Sequence, residues 1–314
     1  MEPLANEKIS QQLALWPEET LFTDELKQYF DYYRFALTEA DDIQVQVSYI
    51  NVARHRIAVY HLTPKKPIQH VLIMHGYLDH SGIHADLVND LLSKNCQVSL
   101  YDMPGHGLST GPNADIDDFR CYVEVLGAVL TAFSEKKQLP DAVLAHSTGA
   151  AALILALLSG ELPRLAAMNI ILVAPLVRIA NWYRIKLTYH LIRHWLSEVK
   201  LGKIDNSADR KFTDFLLADP LRHCVMPIQW LEAAFEYEKS LSQYPPCEKS
   251  ITVIQGSDDT TVAWSYNLRF LHHKFPQARV YCIEDAKHHV LYEREALRQR
   301  AREILYERLG LSKD

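Results

Sequence analysis

Residues 141–150, Asp-Ala-Val-Leu-Ala-His-Ser-Thr-Gly-Ala, set a serine between small residues where an apolar run meets a helix-like segment. A serine at such a strand-to-helix turn sits on a strained backbone that lifts its hydroxyl beyond the sheet edge, ready to attack an acyl carbon. The turn is tight, so the residues two before and two after the serine must be small, and here they are Ala145 and Gly149. Ser147 is therefore the candidate nucleophile. Taken alone, the segment reads equally well as an ordinary helix start, because a Ser hydroxyl can accept from free first-turn amides.

A serine nucleophile needs a base, a carboxylate to orient that base, and donors for the developing oxyanion. The segment Gly256-Ser-Asp-Asp-Thr-Thr-Val262 follows an apolar run, and either Asp258 or Asp259 can supply the carboxylate. Both also suit a helix cap. The segment Glu284-Asp-Ala-Lys-His-His-Val290 follows a later run and offers His288 or His289 as the base. His75-Gly76 ends another run, which turns the Tyr77 amide toward the site; with the Thr148 amide it would hold an oxyanion. The loop Asp102-Met-Pro-Gly-His-Gly-Leu-Ser109 is no dinucleotide fingerprint, since Thr110 stands where the third glycine belongs. It reads as support beneath the site, anchored by Asp102. His80/His84 and His190/His194 are spaced i, i+4, but neither pair carries the glutamate of a zinc hydrolase. No catalytic metal and no cofactor are expected.

These residues need a scaffold that delivers each one at the end of a strand. Apolar runs at 71–74, 97–101, 142–145, 169–173, 251–254 and 279–283 read as strands buried on both faces, after two Val/Ile/Tyr-rich runs at 44–50 and 56–62. Helical patterns lie between them at 83–94, 116–135, 148–158 and 262–274, and a last one follows at 290–309. This alternation predicts an α/β fold with a doubly wound, mostly parallel sheet. The rhythm breaks once, from residue 176 to 244, where no strand is expected. An insertion there would sit over the carboxyl edge of the sheet. The predicted division is a core of residues 1–175 and 246–314 with a helical cap at 176–245. Residues 1–40 read as a helical extension with an aromatic cluster at Tyr29, Phe30, Tyr32 and Tyr33.

The constellation resembles the α/β-hydrolase superfamily, which uses the chain order Ser…Asp…His. More narrowly it is similar to the monoacylglycerol lipase and bacterial lysophospholipase group. His75-Gly-Tyr-Leu-Asp-His-Ser-Gly82 is similar to that group's H-G-x-G-E-H-S-G turn, and Asp102 to Ser109 to D-x-x-G-H-G-x-S. The group's G-x-x-D-x-x-V pattern selects Asp259, and its H-E-x-x-x-E pattern selects His288, with His289 standing where Glu is usual. Asp219-Pro220-Leu221 is a further point of likeness. The other departures are Leu78 for Gly, Asp79 for Glu, Pro104 for Arg and Ala145 for Gly. The resemblance runs from about residue 45 to the C-terminus. It implies a Ser147–His288–Asp259 triad with an oxyanion site at the amides of Tyr77 and Thr148.

The composition is that of an ordinary soluble globular chain, 48% hydrophobic and 23% charged, and the net charge of −6 argues against nucleic acid as a partner. Residues 1–17 lack the basic-then-apolar profile of a secretory signal. The five cysteines form neither a disulfide framework nor a zinc pattern, so they are expected reduced in a cytoplasmic protein. Residues 176–204 carry Arg178, Arg184, Lys186, Arg193, Lys200 and Lys203 against Glu198 alone, with apolar residues recurring at Ile179, Tyr183, Leu187, Leu191 and Trp195. Such a basic, aromatic, amphipathic segment suits the inner face of a membrane or a lipid headgroup. Trp182, Tyr183, Arg184 and Lys186 are the predicted substrate contacts. A packed cap helix with a solvated basic face fits the pattern equally.

The expected activity is carboxyl-ester hydrolysis of a small-molecule or lipid ester, with single-acyl lipids (lysophospholipid or monoacylglycerol) favoured. A proline-type aminopeptidase or small-ester hydrolase of the same fold is the alternative; a non-catalytic binding protein is the alternative from another class.

Overall fold

A computed structural model describes residues 6–16, 18, 23–37, 43–202 and 205–311. Lys203 of the basic run lies outside the described residues, as do residues 1–5, 17, 19–22 and 38–40 of the N-terminal extension. Two helices open the chain, α1 (Asn6–Gln12) and α2 (Asp24–Tyr33), the second capped by the Thr23 hydroxyl, which accepts from Leu26 N. The antiparallel pair β1 (Gln44–Val52) and β2 (His55–Thr63) follows. The alternation then proceeds through β3 (Gln69–Met74), α3 (Ala85–Ser93), β4 (Cys96–Tyr101), α4 (Arg120–Glu135), β5 (Ala142–His146), α5 (Thr148–Ser159) and β6 (Asn169–Val173).

After β6 come α6 (Trp182–Ile192), β7 (Glu198–Lys200), α7 (Arg210–Ala218), β8 (Val225–Pro227) and α8 (Ile228–Leu241). The chain rejoins the sheet with β9 (Thr252–Gly256), α9 (Trp264–Lys274), β10 (Arg279–Ile283) and α10 (Glu295–Leu309). The expectation of no strand between 176 and 244 is corrected by β7 and β8, which pair antiparallel. Three-residue strands with half-exposed side chains carry no period for a sequence reading to detect.

The main sheet has eight strands in the order β1-β2-β4-β3-β5-β6-β9-β10. From β4 to β10 all pairings are parallel, while β1, β2 and β4 pair antiparallel. The strand order reverses at β3, flanked by β4 and β5, and a crevice opens outside the carboxyl ends at such a reversal. Strands β4, β5 and β9 are buried along their whole length, which is why they read as continuous apolar runs. Strand β10 departs from that expectation: Arg279, Val280 and Cys282 are exposed, because it is an outer strand with β9 as its sheet partner.

Two apolar layers sandwich the sheet. One gathers α4, α5 and α8 around Phe119, Leu126, Leu153 and Trp230; the other gathers α2, α3 and α10 around Tyr29, Phe30, Leu91 and Leu305. Helix α5 is buried through most of its length, so it shows uniform hydrophobicity rather than a stripe. The last predicted helix is broken into a short 3₁₀ turn at Val290–Tyr292 and α10. The fully buried Glu293 lies at the break, where its carboxylate accepts from the backbone N–H groups of Lys287 (3.0 Å), Ala208 (3.1 Å) and Arg294 (3.0 Å). That carboxylate ties the loop after β10 to the segment before α7. Among the described residues no helix is long and apolar enough to cross a membrane, and all five cysteines are free thiols.

Candidate active site

Ser147 joins β5 to α5 with φ 49° and ψ −108°, a backbone conformation that costs a non-glycine residue about 1–3 kcal/mol. The surroundings hold it there. Its N–H donates to Val173 O (2.9 Å), and its carbonyl accepts from Leu176 N (3.2 Å) and Ala151 N (3.0 Å). Gly149 N donates to His75 O (3.1 Å), and a Cβ on Gly149 would lie 2.6 Å from that oxygen. The small residue two places after the serine is thus required by the backbone of the turn after β3.

His288 Nε2 lies 3.0 Å from Ser147 Oγ, and His288 Nδ1 lies 2.8 Å from Asp259 Oδ2. Asp259 Oδ1 accepts from Thr261 N (2.8 Å) and Val262 N (3.1 Å), while Gln255 Nε2 donates to Oδ2 (3.0 Å). Burial works against the charge on this carboxyl, but the adjacent His288 and the N–H donors hold it below the usual carboxylate range. Asp258 is exposed and turned away. His289 takes the opposite side of the loop, packed edge-on against Phe212 and Tyr292. Of each adjacent pair, one member joins the hydrogen-bond chain that ends on Ser147.

Tyr77 and Thr148 both border a cavity of about 230 Å³ that also reaches Ser147 and His288. The Tyr77 side chain is pinned, its hydroxyl donating to Ala114 O (2.8 Å) and its ring stacked on Trp230 at 3.8 Å. Thr148 opens α5, where first-turn amides have no intrahelical acceptor. Leu78 holds φ 64°, so this turn keeps a left-handed residue at some strain.

Beneath the turn, the fully buried Asp102 accepts from Ser81 N (2.7 Å), Leu108 N (2.8 Å) and the Tyr60 hydroxyl (2.8 Å). Asp102→Ala would leave three buried donors without an acceptor. At about 1–3 kcal/mol each, the expected loss of folding stability is about 3 kcal/mol or more, read as a lower midpoint in urea unfolding. Asp219, between α7 and β8, accepts from His80 Nε2 and from the Tyr33 hydroxyl of α2, both at 2.8 Å. That carboxyl lies below its ordinary range because His80 and its other donors outweigh the burial. Helix α2 of the N-terminal extension is thereby fastened to the same turn.

The predicted substrate contacts are placed elsewhere. Trp182 is buried against Phe235 of α8, while Tyr183 and Arg184 are exposed and Lys186 sits over Phe235. None of the four borders the cavity, whose walls are Leu78, Leu176, Ile179, Leu201, Met226, Trp230 and Val262, with Arg222 at one side. The reason is the face of α6: Trp182 and Tyr189 turn inward, and Tyr183, Leu187 and Leu191 turn out. Arg222 was reachable from sequence only as a neighbour of Asp219-Pro220-Leu221.

Sheet order, strand-end elbow and buried carboxylate–imidazole pair define an α/β hydrolase. The family model described as serine aminopeptidase, S33 matches residues 65–295, and the chain belongs to that family. A monoglyceride lipase homolog of Monkeypox virus is 28% identical over 248 residues, covering 74% of this chain and 88% of the viral protein. Two solved structures share the fold. The monoacylglycerol lipase of Paleococcus ferrophilus superposes with a TM-score of 0.68 at 17% identity, over 82% of this chain and 99% of its own. A soluble variant of the Saccharomyces cerevisiae monoglyceride lipase, in complex with a substrate analog, gives 0.72 at 14%, over 89% and 98%.

Proposed function

We propose that this protein is a serine ester hydrolase acting on single-acyl lipids, monoacylglycerols or lysophospholipids. The observation that carries this reading is the Asp259–His288–Ser147 hydrogen-bond chain opening into an apolar-walled cavity. Ser147 attacks the ester carbonyl while His288 takes its proton and returns it to the leaving alcohol. Asp259 fixes the tautomer and stabilises the imidazolium, and the amides of Tyr77 and Thr148 receive the oxyanion. Water then repeats the sequence on the acyl-enzyme. Residues 176–245 act as the cap over this cavity.

The cap favours an ester over a peptide. A free amino group needs a carboxylate anchor, and the acidic residues of α8 are not placed to give one. Glu232 and Glu236 are exposed, and Glu238 is paired with Arg178, which donates to it from Nε (2.8 Å) and Nη2 (2.5 Å). Arg222 at the cavity side suits a phosphate or a glycerol hydroxyl. A fluorophosphonate probe followed by a substrate panel tests the reading. Monoacylglycerol or lysophospholipid should be cleaved with kcat/KM about tenfold or more above triacylglycerol and diacyl phospholipid. Cleavage confined to short soluble esters or aminoacyl amides would overturn it.

The outer face of the cap supports contact with a lipid surface. Tyr183 (75%), Leu187 (63%), Leu191 (68%) and Trp195 (85%) form an exposed stripe at four-residue spacing beside Arg184 and Arg193. Reversing Arg184 and Lys186 to Glu should weaken binding to anionic vesicles about tenfold or more at low ionic strength, and less at high salt. Vesicle sedimentation with the unchanged soluble-ester rate as reference is the measurement; equal binding by the variant would remove this part of the proposal.

A further inference from the structure

Behind the nucleophile, the loop after β3, the last residue of β5 and the loop after β10 each turn one side chain toward a common point. Asp79, His146 and His289 are all buried, and their donor atoms lie within 4.8 Å of one another. Asp79 Oδ2 stands 3.5 Å from His146 Nδ1, and Asp79 Oδ1 stands 3.8 Å from His289 Nε2. His146 Nδ1, the ring atom nearest Asp79, has no hydrogen-bond partner among the described residues, and buried ring nitrogens are seldom left so. The space at this point is kept open by Gly76: a Cβ there would lie 2.8 Å from His146 Nδ1 and 2.9 Å from Asp79 Oδ2.

We propose that Asp79, His146 and His289 form a binding site for one zinc ion, and that zinc held there inhibits the enzyme. Two imidazoles and one carboxylate suit zinc rather than magnesium or calcium, which prefer all-oxygen sites. Ligands at about 2.1 Å around a tetrahedral ion lie roughly 3.4 Å apart, and the 3.5 Å between Asp79 Oδ2 and His146 Nδ1 is close to that. Asp79 and His289 border the catalytic cavity, which provides an entry path and room for water as the fourth ligand.

Inhibition follows from position. His146 precedes Ser147, His289 follows His288, and His146 Nε2 already lies 3.3 Å from the His288 carbonyl. Drawing the three donors onto one ion shifts both backbones by parts of an ångström, enough to lengthen the 3.0 Å contact between serine and base.

The test is zinc chloride added to the purified full chain, with magnesium chloride as control. One zinc should remain per chain after desalting, measured by elemental analysis, and zinc should raise the melting temperature. Cobalt(II) in its place should give the intense visible bands of a four-coordinate nitrogen–oxygen site. His289→Gln and Asp79→Asn, each compared with its own metal-free rate, should need about tenfold or more zinc for half-inhibition. His190→Gln, at the exposed His190/His194 pair, should change nothing. No retained zinc in the wild-type chain, or zinc sensitivity that follows His190 instead, would overturn the proposal. Stoichiometry and melting temperature do not depend on which ester is cleaved, so they separate this inference from the lipid assignment.

Discussion

Ser147→Ala should abolish ester hydrolysis while leaving the fold in place. The Oγ is the atom that His288 Nε2 faces at 3.0 Å. Loss of a serine nucleophile from a triad lowers turnover by about a millionfold, so the variant should sit at the assay floor with a soluble p-nitrophenyl ester. Covalent labelling by a fluorophosphonate should vanish with it. Stability should change little, because alanine tolerates φ 49° no worse than serine and the lost hydroxyl borders the cavity. Turnover near the wild-type rate would refute the nucleophile assignment.

The second large effect separates two adjacent histidines. His288 bridges Ser147 and Asp259, so His288→Ala should lower turnover by about four to six orders of magnitude. Asp259→Asn should cost about ten thousandfold, since an amide cannot hold the same tautomer in place. His289 faces Asp79 on the other side of the loop, and His289→Ala should lose far less in the absence of zinc. The Asp258→Asn variant, with its side chain exposed, should keep wild-type turnover. A larger loss from His289→Ala than from His288→Ala would reverse the assignment of this loop.

Several of these features were legible in the chain because local sterics dictate them. Buried parallel strands need unbroken apolar runs, and those at 71–74, 97–101, 142–145 and 169–173 lie within or on β3, β4, β5 and β6. The elbow needs small residues around Ser147, since Gly149 packs on a carbonyl of the neighbouring strand's turn. The order of the serine, acid and histidine loops along the chain is likewise fixed by sequence. Which member of each adjacent pair faces the serine was open to local reading, and the family pattern alone selected one.

The rest depended on contacts between distant segments. His288 and Ser147 are 141 residues apart, and their 3.0 Å separation exists only because β5 and the loop after β10 end at the same sheet edge. Periodicity locates an apolar stripe on α6 but not the side it faces, so the exposure of Leu187 and Leu191 came from the packing of Trp182 and Tyr189 on α8. The same limit hid the Asp79–His146–His289 cluster, whose members share no spacing because the ends of three separate strands deliver them. Sequence by itself determined the element order, the elbow and the residue types available for catalysis, because backbone sterics and strand burial act locally. Only the tertiary structure decided which side chains meet and which face the outside, because chain reversal at the sheet edge is a long-range event that no local period records.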